Sequence, residues 1–466
     1  MKIKDGLILR RIADKNIVVP VNERVFGTPG VMTLNDMSAR IWEFLQEDRT
    51  FEETLAYILD VYDIDKETAE SDLKKLITRM ESSGVFEQSA LEDIRNTAWS
   101  KDYSALHAYA AGKHVPLIGM FELTPRCNFQ CKMCYVHMSA AEIASCNAKE
   151  LTAKEWLHLA EQAAIAGTLY LTLTGGEPLI RDDFEEIYTE LSKIGFRLGL
   201  NTNGSLITPK YERLFEKYPP LEILITLYGA DAGTYQKVCG NPAAYDNVLK
   251  GLEFAASLPT RLKLRATFIK DNKDQHKRLQ DIAHRYTSEL GVNPFVNMPV
   301  PGVGADVDSC RLSIEDCVAV CKEHIAYYDK LHKNTDQSKS SAAGLIDGVG
   351  LGKPVDRETR SDAYSGILRC NAAKTMFQIK WDGKMYPCVS FVSLYTQPLE
   401  EGFNEAWDRL PELLKALRRP AKCSTCECSD VCTVCPARIE AETGSFAVTS
   451  DYICGIVKDM AGKNNA

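Results

Sequence analysis

From Leu117 to Val300 six short apolar runs alternate with amphipathic stretches, and this alternation limits the fold more than any other feature of the chain. The runs are "LIGMFEL", "LYLTLT", "FRLGLNTN", "LEILITLYG", "RLKLRATFI" and "NPFVNMPV". Between them lie "TAKEWLHLAEQAAIAG", "RDDFEEIYTELSKIG", "TPKYERLFEKY", "AAYDNVLKGLEFAAS" and "KDQHKRLQDIAHRYTSELG". Near-continuous apolar strands between helices that are polar on one side predict a parallel sheet covered on at least one face. Six strand–helix units build either an open doubly wound sheet or a partial barrel, and both gather their chemistry at the carboxyl ends of the strands.

Ahead of the alternation, Leu7–Ile12, Asn16–Val21 and Val31–Leu34 read as short strands. Three blocks at helical spacing follow, with Met37, Ile41, Trp42 and Leu45 on one face, then Leu55, Ile58 and Leu59, then Leu73, Leu76, Ile77 and Met80. Asn35 or Asp36 can cap the first block, Thr50 with Glu53 makes a capping box for the second, and Gly84 ends the third. A small sheet with three helices is a winged-helix-like module. Its segments "TLNDMSARIWEFL", "TFEETLAYILDVYDID" and "DLKKLITRMESSGVF" resemble the small chaperone of pyrroloquinoline quinone biosynthesis, prototype of the recognition domains of ribosomal-peptide maturation. The resemblance implies that residues 1–90 bind a leader peptide, which adds as a strand beside Val31–Leu34 at the sheet edge. The rival reading is a winged helix that binds DNA or caps the next domain. Residues 91–115 read as a linker.

A net charge of −9 and the absence of a basic run speak against nucleic acid as a partner. The apolar patch of "MKIKDGLILRRIADKN" is broken by Arg10, Arg11 and Asp14, and no apolar run reaches the roughly 18 residues of a membrane helix. The expectation is a cytoplasmic protein with no membrane partner. In a reducing compartment 16 cysteines point to metal or cofactor ligation rather than disulfides.

Cys127, Cys131 and Cys134 stand in "CNFQCKMC", just past the first strand of the alternation. Spacings of three and two residues let a loop wrap three thiolates around one centre, which neither a strand nor one helix face does. Structural zinc wants four protein ligands; no fourth Cys or His completes the loop at ordinary spacing, and His137 follows too tightly. A 4Fe–4S cubane with three thiolates leaves one iron open. The CxxxCxxC spacing resembles the radical S-adenosylmethionine (radical SAM) enzymes, and the likeness extends to "LTGGEPLIR", "LNTNGSLI", "ITLYG" and "LRATFI" on the following strands. It implies an α/β fold with a partial (β/α)6 TIM-type barrel over residues 116–300. It implies one 4Fe–4S cluster on Cys127, Cys131 and Cys134, and S-adenosylmethionine held by Gly175, Gly176, Glu177, Pro178, Asn203, Thr226 and Arg265. Paired glycines also let backbone come close to a ligand, and a guanidinium fork suits a carboxylate. Met133 stands where the family often has an aromatic residue near the adenine, and Tyr135 follows the third cysteine.

Residues 301–369 read as a bridging helix and a flexible loop, whose "GVGLG" is turn chemistry rather than a phosphate loop. Cys310, Cys317 and Cys321 sit on or near that helix, and Cys146 and Cys239 read as isolated ordinary thiols. Beyond, "CNAAKTMFQIKWDGKMYPC" frames a hairpin turning at Asp382-Gly383, "CSTCECSDVCTVC" follows, and Cys454 comes last. Eight cysteines in this region exceed one structural site. The arrangement resembles the SPASM extension of radical peptide maturases, which implies two auxiliary 4Fe–4S clusters within residues 370–466. Cys370, Cys388 and Cys435 would hold the inner one, and Cys423, Cys426, Cys432 and Cys454 the outer. The last gap of the compact run is one residue shorter than the family's usual spacing, and Cys428 is extra. The inner set lacks an obvious fourth ligand; Cys310, Cys317, Cys321 or Cys428 could supply it, or the site is open to a substrate thiol. A zinc-binding tail is the rival.

Together the resemblances are to radical SAM/SPASM maturases of ribosomally made peptides, of the sactipeptide and ranthipeptide type. They imply that a 5'-deoxyadenosyl radical abstracts hydrogen from a precursor peptide. A flavodoxin or ferredoxin would supply reducing electrons, and the auxiliary clusters would accept one as a bond closes. A Cys sulfur-to-carbon thioether is the first product expected and a carbon–carbon crosslink the second. Dehydrogenation of Ser or Cys in a folded protein, as in sulfatase maturation, does not call for the N-terminal module. A non-catalytic peptide scaffold does not call for the cysteine triplet and "TGGEP".

Overall fold

The computed structural model describes residues 1–21, 30–87, 99–100, 104–146, 148–287, 290–301, 303–332, 370–418, 420–429, 431–432 and 435–462. The turn-rich segment 334–362, with "GVGLG", lies outside the described residues.

The N-terminal module is an antiparallel sheet of β1 (Leu7–Ile12), β2 (Lys15–Pro20), β3 (Val31–Leu34) and β4 (Trp99–Ser100), in that order, with helices α1 (Asp36–Phe44), α2 (Phe51–Val61) and α3 (Lys66–Ser82). Local chemistry starts each helix. Asn35 accepts from Ser38 N, Thr50 and Glu53 form the reciprocal box, and Asp65 accepts from Thr68 N. Trp42, Leu45, Ile58, Leu73 and Met80 close over Val18 and Met32 in a core of their own.

Two expectations change here. Val31–Leu34 is not the sheet edge, because Val31 pairs with Ser100 and Met32 with Trp99. The stretch 91–115 is more than a linker, since it supplies β4 and a helix, Ser104–Gly112. Ala110 of that helix joins Ile12, Val19, Val31, Leu117 and Leu169 in an apolar core between the N-terminal sheet and the next domain. A two-residue strand carries too little periodicity to be read from sequence.

Arg10 on β1 pins the same junction. Its guanidinium donates to Ala164 O (2.8 Å), Thr168 O (2.9 Å) and Gly195 O (3.1 Å), and it lies 5.4 Å from the Phe196 ring centroid. Ala164 O and Gly195 O belong to the ends of the helices Ala153–Ala166 and Phe184–Ile194, so one buried cation meets two helix C-termini, where positive charge is favoured.

The alternation becomes β5 (Ile118–Glu122), β6 (Tyr170–Thr174), β7 (Arg197–Thr202), β8 (Glu222–Leu227), β9 (Arg261–Thr267) and β10 (Leu290–Asn293), each parallel to the next. The last strand lies earlier than the "NPFVNMPV" run, ending where Pro294 has no N–H to give the ladder. Trp156 and Leu159, Ile187 and Leu191, and Val248 and Leu252 are the buried faces of three covering helices. On the other side of β5, β11 (Met376–Ile379) joins in parallel and β12 (Met385–Tyr386) antiparallel, across a turn with Gly383 at φ 84°. The cysteine-rich C-terminal region thus begins by extending the barrel sheet. Among the described residues β10 and β12 do not pair, so the sheet stays open as a partial barrel. No described helix is long and apolar enough to cross a membrane.

Candidate active site

The cysteine loop leaves β5 through Thr124, Pro125 and Arg126, and two neighbours hold it by backbone. From the loop after β6, Gly176 N donates to Thr124 O (2.7 Å) and Glu177 N to Arg126 O (2.9 Å). A Cβ at Gly175 would stand 2.5 Å from Thr124 O, and one at Gly176 2.3 Å from Arg126 O. Glycine is therefore required here so that the two loops can join, a nearer constraint than approach to a ligand. On the other flank Gln130 N donates to Cys239 O (3.1 Å) and Lys132 N to Val238 O (3.0 Å), at the C-terminus of the helix Ala232–Cys239.

Each thiol has hydrogen-bond partners around it. Cys127 Sγ accepts from Phe129 N (3.4 Å) and Asn203 Nδ2 (3.8 Å), and Cys134 Sγ from His137 N (3.2 Å). Cys131 meets the side chains of Cys239 and Tyr228 besides its own backbone N–H. Burial pushes the Cys134 thiol up to about 12 and raises Cys127 as well; the contact with Cys239, then burial, raises Cys131. Thiols so placed become thiolates when a metal's positive charge displaces their protons. The residues present therefore fit an iron–sulfur cluster. Among the described residues no three His, Cys, Asp or Glu side chains converge as around a single metal ion. A multi-iron cluster, which spreads its thiolates over several irons, does not require that.

Beside Cys131 and Cys134 lies a cavity of about 400 Å³. Met133, Gly175, Gly176, Asn203, Thr226 and Arg265, all expected near the small molecule, line it. Thr226 and Arg265 are register partners on β8 and β9, which carries both toward the same opening. Glu177 and Pro178 are elsewhere. Glu177 is fully buried and accepts from Thr202 Oγ1 (2.8 Å), Asn203 N (2.8 Å) and Leu179 N (3.1 Å), bracing β7 against the glycine loop; burial lifts its carboxyl to about 7. Pro178 is buried at the start of a short helical turn. Sequence reasoning missed Tyr228, Thr267, Asn293, Ser390 and Arg438, which also line it. Ser390 and Arg438 follow Cys388 and Cys435 closely, so the C-terminal region closes the cavity.

The remaining cysteines fall into two neighbourhoods. Cys388 feels Cys435 and Cys370, and burial lifts its thiol to about 12. Cys454 feels Cys423, Cys432 and Cys426, and burial lifts it to about 11. Cys310, Cys317 and Cys321 have other surroundings. Cys310 donates to Val307 O and lies near Lys132 and Asp271, and Cys317 contacts Cys321 and donates to Pro294 O. Cys428 is buried in the turn whose carbonyl accepts from Val431 N and Cys432 N. Cys239, expected to stand alone, is buried against Cys131.

Residues 121–281 match the Radical SAM superfamily, and residues 21–85 match Coenzyme PQQ synthesis protein D (PqqD). The AdoMet-dependent heme synthase of Methanosarcina barkeri is 26% identical over 348 residues, 73% of this chain and 96% of that protein. The mycofactocin maturase MftC of Mycolicibacterium smegmatis is 25% identical over 334 residues, 70% of this chain and 79% of that protein. Among solved structures, Streptococcus suis SuiB bound to precursor peptide SuiA superposes with a TM-score of 0.56 at 17% identity, covering 97% of this chain and 99% of that one. The structure of native anSMEcpe with bound AdoMet gives 0.52 at 16% identity over 74% of this chain and 96% of that one. At these identities the structures speak for the fold. With the cysteine loop, the glycine loop and the open parallel sheet in place, the chain carries a radical SAM domain, a domain type that implies S-adenosylmethionine and a 4Fe–4S cluster, behind a PqqD-like N-terminal domain.

Proposed function

We propose that this protein is a radical SAM maturase of a ribosomally made precursor peptide, and that residues 1–90 recognise the leader while the cavity above β5–β10 receives the core. The observation that carries this reading is the joining in one chain of a PqqD-like module with a strand-end cavity beside Cys131 and Cys134. In this reading Cys127, Cys131 and Cys134 would hold the catalytic cluster, which together with S-adenosylmethionine would supply the radical chemistry that takes hydrogen from the peptide. Asn203, Thr226 and Arg265 orient the small molecule; Gly175 and Gly176 lock its loop to the cysteine loop. Cys370, Cys388 and Cys435 would hold an inner auxiliary cluster, and Cys423, Cys426, Cys432 and Cys454 an outer one, and such clusters would supply an acceptor for the electron released by bond formation.

A thioether from a peptide cysteine is the favoured product, since Cys370, Cys388 and Cys435 share one neighbourhood and a substrate thiolate could join them on a cluster there. A carbon–carbon link is the alternative. Tandem mass spectrometry of a peptide encoded beside the gene, co-expressed with the protein, separates them: two hydrogens lost per link together with one free thiol supports the thioether, and the same loss with all thiols intact overturns it. A second reading has an observation behind it, the likeness to heme synthases. It leaves about a quarter of this chain unmatched, and it gives no role to a PqqD-like module.

A further inference from the structure

The donors to Cys127 and Cys134 include backbone N–H groups that any sequence would offer, whereas Cys131 is met by two side chains from a different part of the chain. Cys239 ends the helix Ala232–Cys239, where Gly240 at φ 72° turns the chain away. The two backbone bonds from Gln130 and Lys132 to the carbonyls of Cys239 and Val238 fix that helix end against the loop on both sides of Cys131. Tyr228 follows β8, lines the cavity beside Cys131 and stacks edge-on against Phe129 of the loop, with ring centroids 6.1 Å apart. Its backbone is pinned by Asn272 Nδ2 to Tyr228 O at 3.0 Å. Cys239 does not line the cavity and is almost fully buried behind Cys131, so it is placed as a neighbour of that ligand rather than as a fourth ligand.

In the metal-free chain the shared proton of the thiol pair sits on Cys131, whereas Tyr228 already donates to that sulfur. We propose that, once a cluster has displaced the Cys131 proton, Cys239 and Tyr228 are positioning residues that donate S–H and O–H hydrogen bonds to the Cys131 sulfur and thereby raise the reduction potential of the cluster. The inference rests on the reading that Cys127, Cys131 and Cys134 hold that cluster. Its physical basis is simple. Reduction adds negative charge that spreads onto the thiolates, so a donor aimed at a sulfur favours the reduced state, and hydrogen bonds to sulfur are among the determinants of cluster potential. Removing one donor leaves the geometry set by the two backbone clamps and makes the cluster harder to reduce. Neither residue type would suggest this role from sequence, since a lone cysteine and a buried tyrosine are ordinary core residues.

The test is an anaerobic redox titration of the iron-reconstituted full-length protein, following by electron paramagnetic resonance the reduced-cluster signal that changes when S-adenosylmethionine is added, which singles out this cluster. Cys239→Ala and Tyr228→Phe should each retain full iron content yet show about tenfold less reduced cluster at a fixed poise, about 59 mV for a one-electron couple. Cys239→Ser, which restores a donor, should recover most of that change. An unchanged potential in both variants at full iron content overturns the inference, and so does loss of iron from Cys239→Ala, which would make that thiol a ligand. If Cys131→Ala keeps the S-adenosylmethionine-sensitive signal, the underlying ligand assignment falls instead.

Discussion

At Gly176 there is no room for even a methyl group, because the Arg126 carbonyl oxygen would lie 2.3 Å from it and that oxygen already accepts from Glu177 N. Gly176→Ala should cost about 1–3 kcal/mol by overpacking and should also lower iron content, since the displaced backbone leads directly into Cys127. A variant with native melting temperature and full iron would contradict this. Glu122, at the carboxyl end of β5, accepts from Gln378 Nε2 at 3.0 Å, and burial outweighs nearby Lys380 to lift its carboxyl to about 7. A folded value above the unfolded one means that its stabilisation is complete below about pH 4.5 and is lost as pH rises through 7. Relative to Glu122→Gln, the native protein should therefore lose on the order of 3 kcal/mol across that window, read from denaturant melts at several pH values. A difference that stays constant or grows would show that Glu122 is ionised throughout. The cysteine triplet stood out by its spacing and the glycine pair by its resemblance to the radical SAM enzymes. Cys239 was not, because nothing local connects position 239 to position 131.

The sheet edge of the N-terminal module is held by two residues, Trp99 and Ser100, and the strand beside it is the one where the leader was expected to dock. A peptide that adds to β3 must displace β4, and a ladder of two residues is worth about 1 kcal/mol. Replacing both residues by glycine should tighten leader binding about fivefold, measured by fluorescence anisotropy of a labelled leader. Weaker binding would mean that the leader pairs with β4 itself. The helices of this module and the six parallel strands were readable because capping chemistry and apolar period agree locally, as in the Thr50–Glu53 box. β4 and the Arg10 anchor depend on partners far away in sequence, Trp99 on Met32 and Arg10 on Ala164, which no local pattern encodes.

In the whole molecule one sheet joins the first cysteine loop to the start of the cysteine-rich C-terminal region. β5 leads into the first cysteine loop on one side and pairs with β11, the entry to Cys388, on the other. That placement brings Ser390 and Arg438 to the wall of the cavity that also holds Cys131 and Arg265. The order of cysteines along the chain revealed two later groups, but not that a parallel strand would seat them against the barrel, since β11 and β5 are distant in sequence. The central claim is that this cavity performs peptide-directed radical chemistry. The most direct measurement is anaerobic quantification of 5'-deoxyadenosine from the iron-loaded protein with reductant and S-adenosylmethionine, with and without the peptide encoded beside the gene. Peptide-stimulated 5'-deoxyadenosine, a peptide lighter by two hydrogens per link, and neither with Cys131→Ala is the predicted result. No 5'-deoxyadenosine, or turnover of a porphyrin while the peptide stays unchanged, would contradict it.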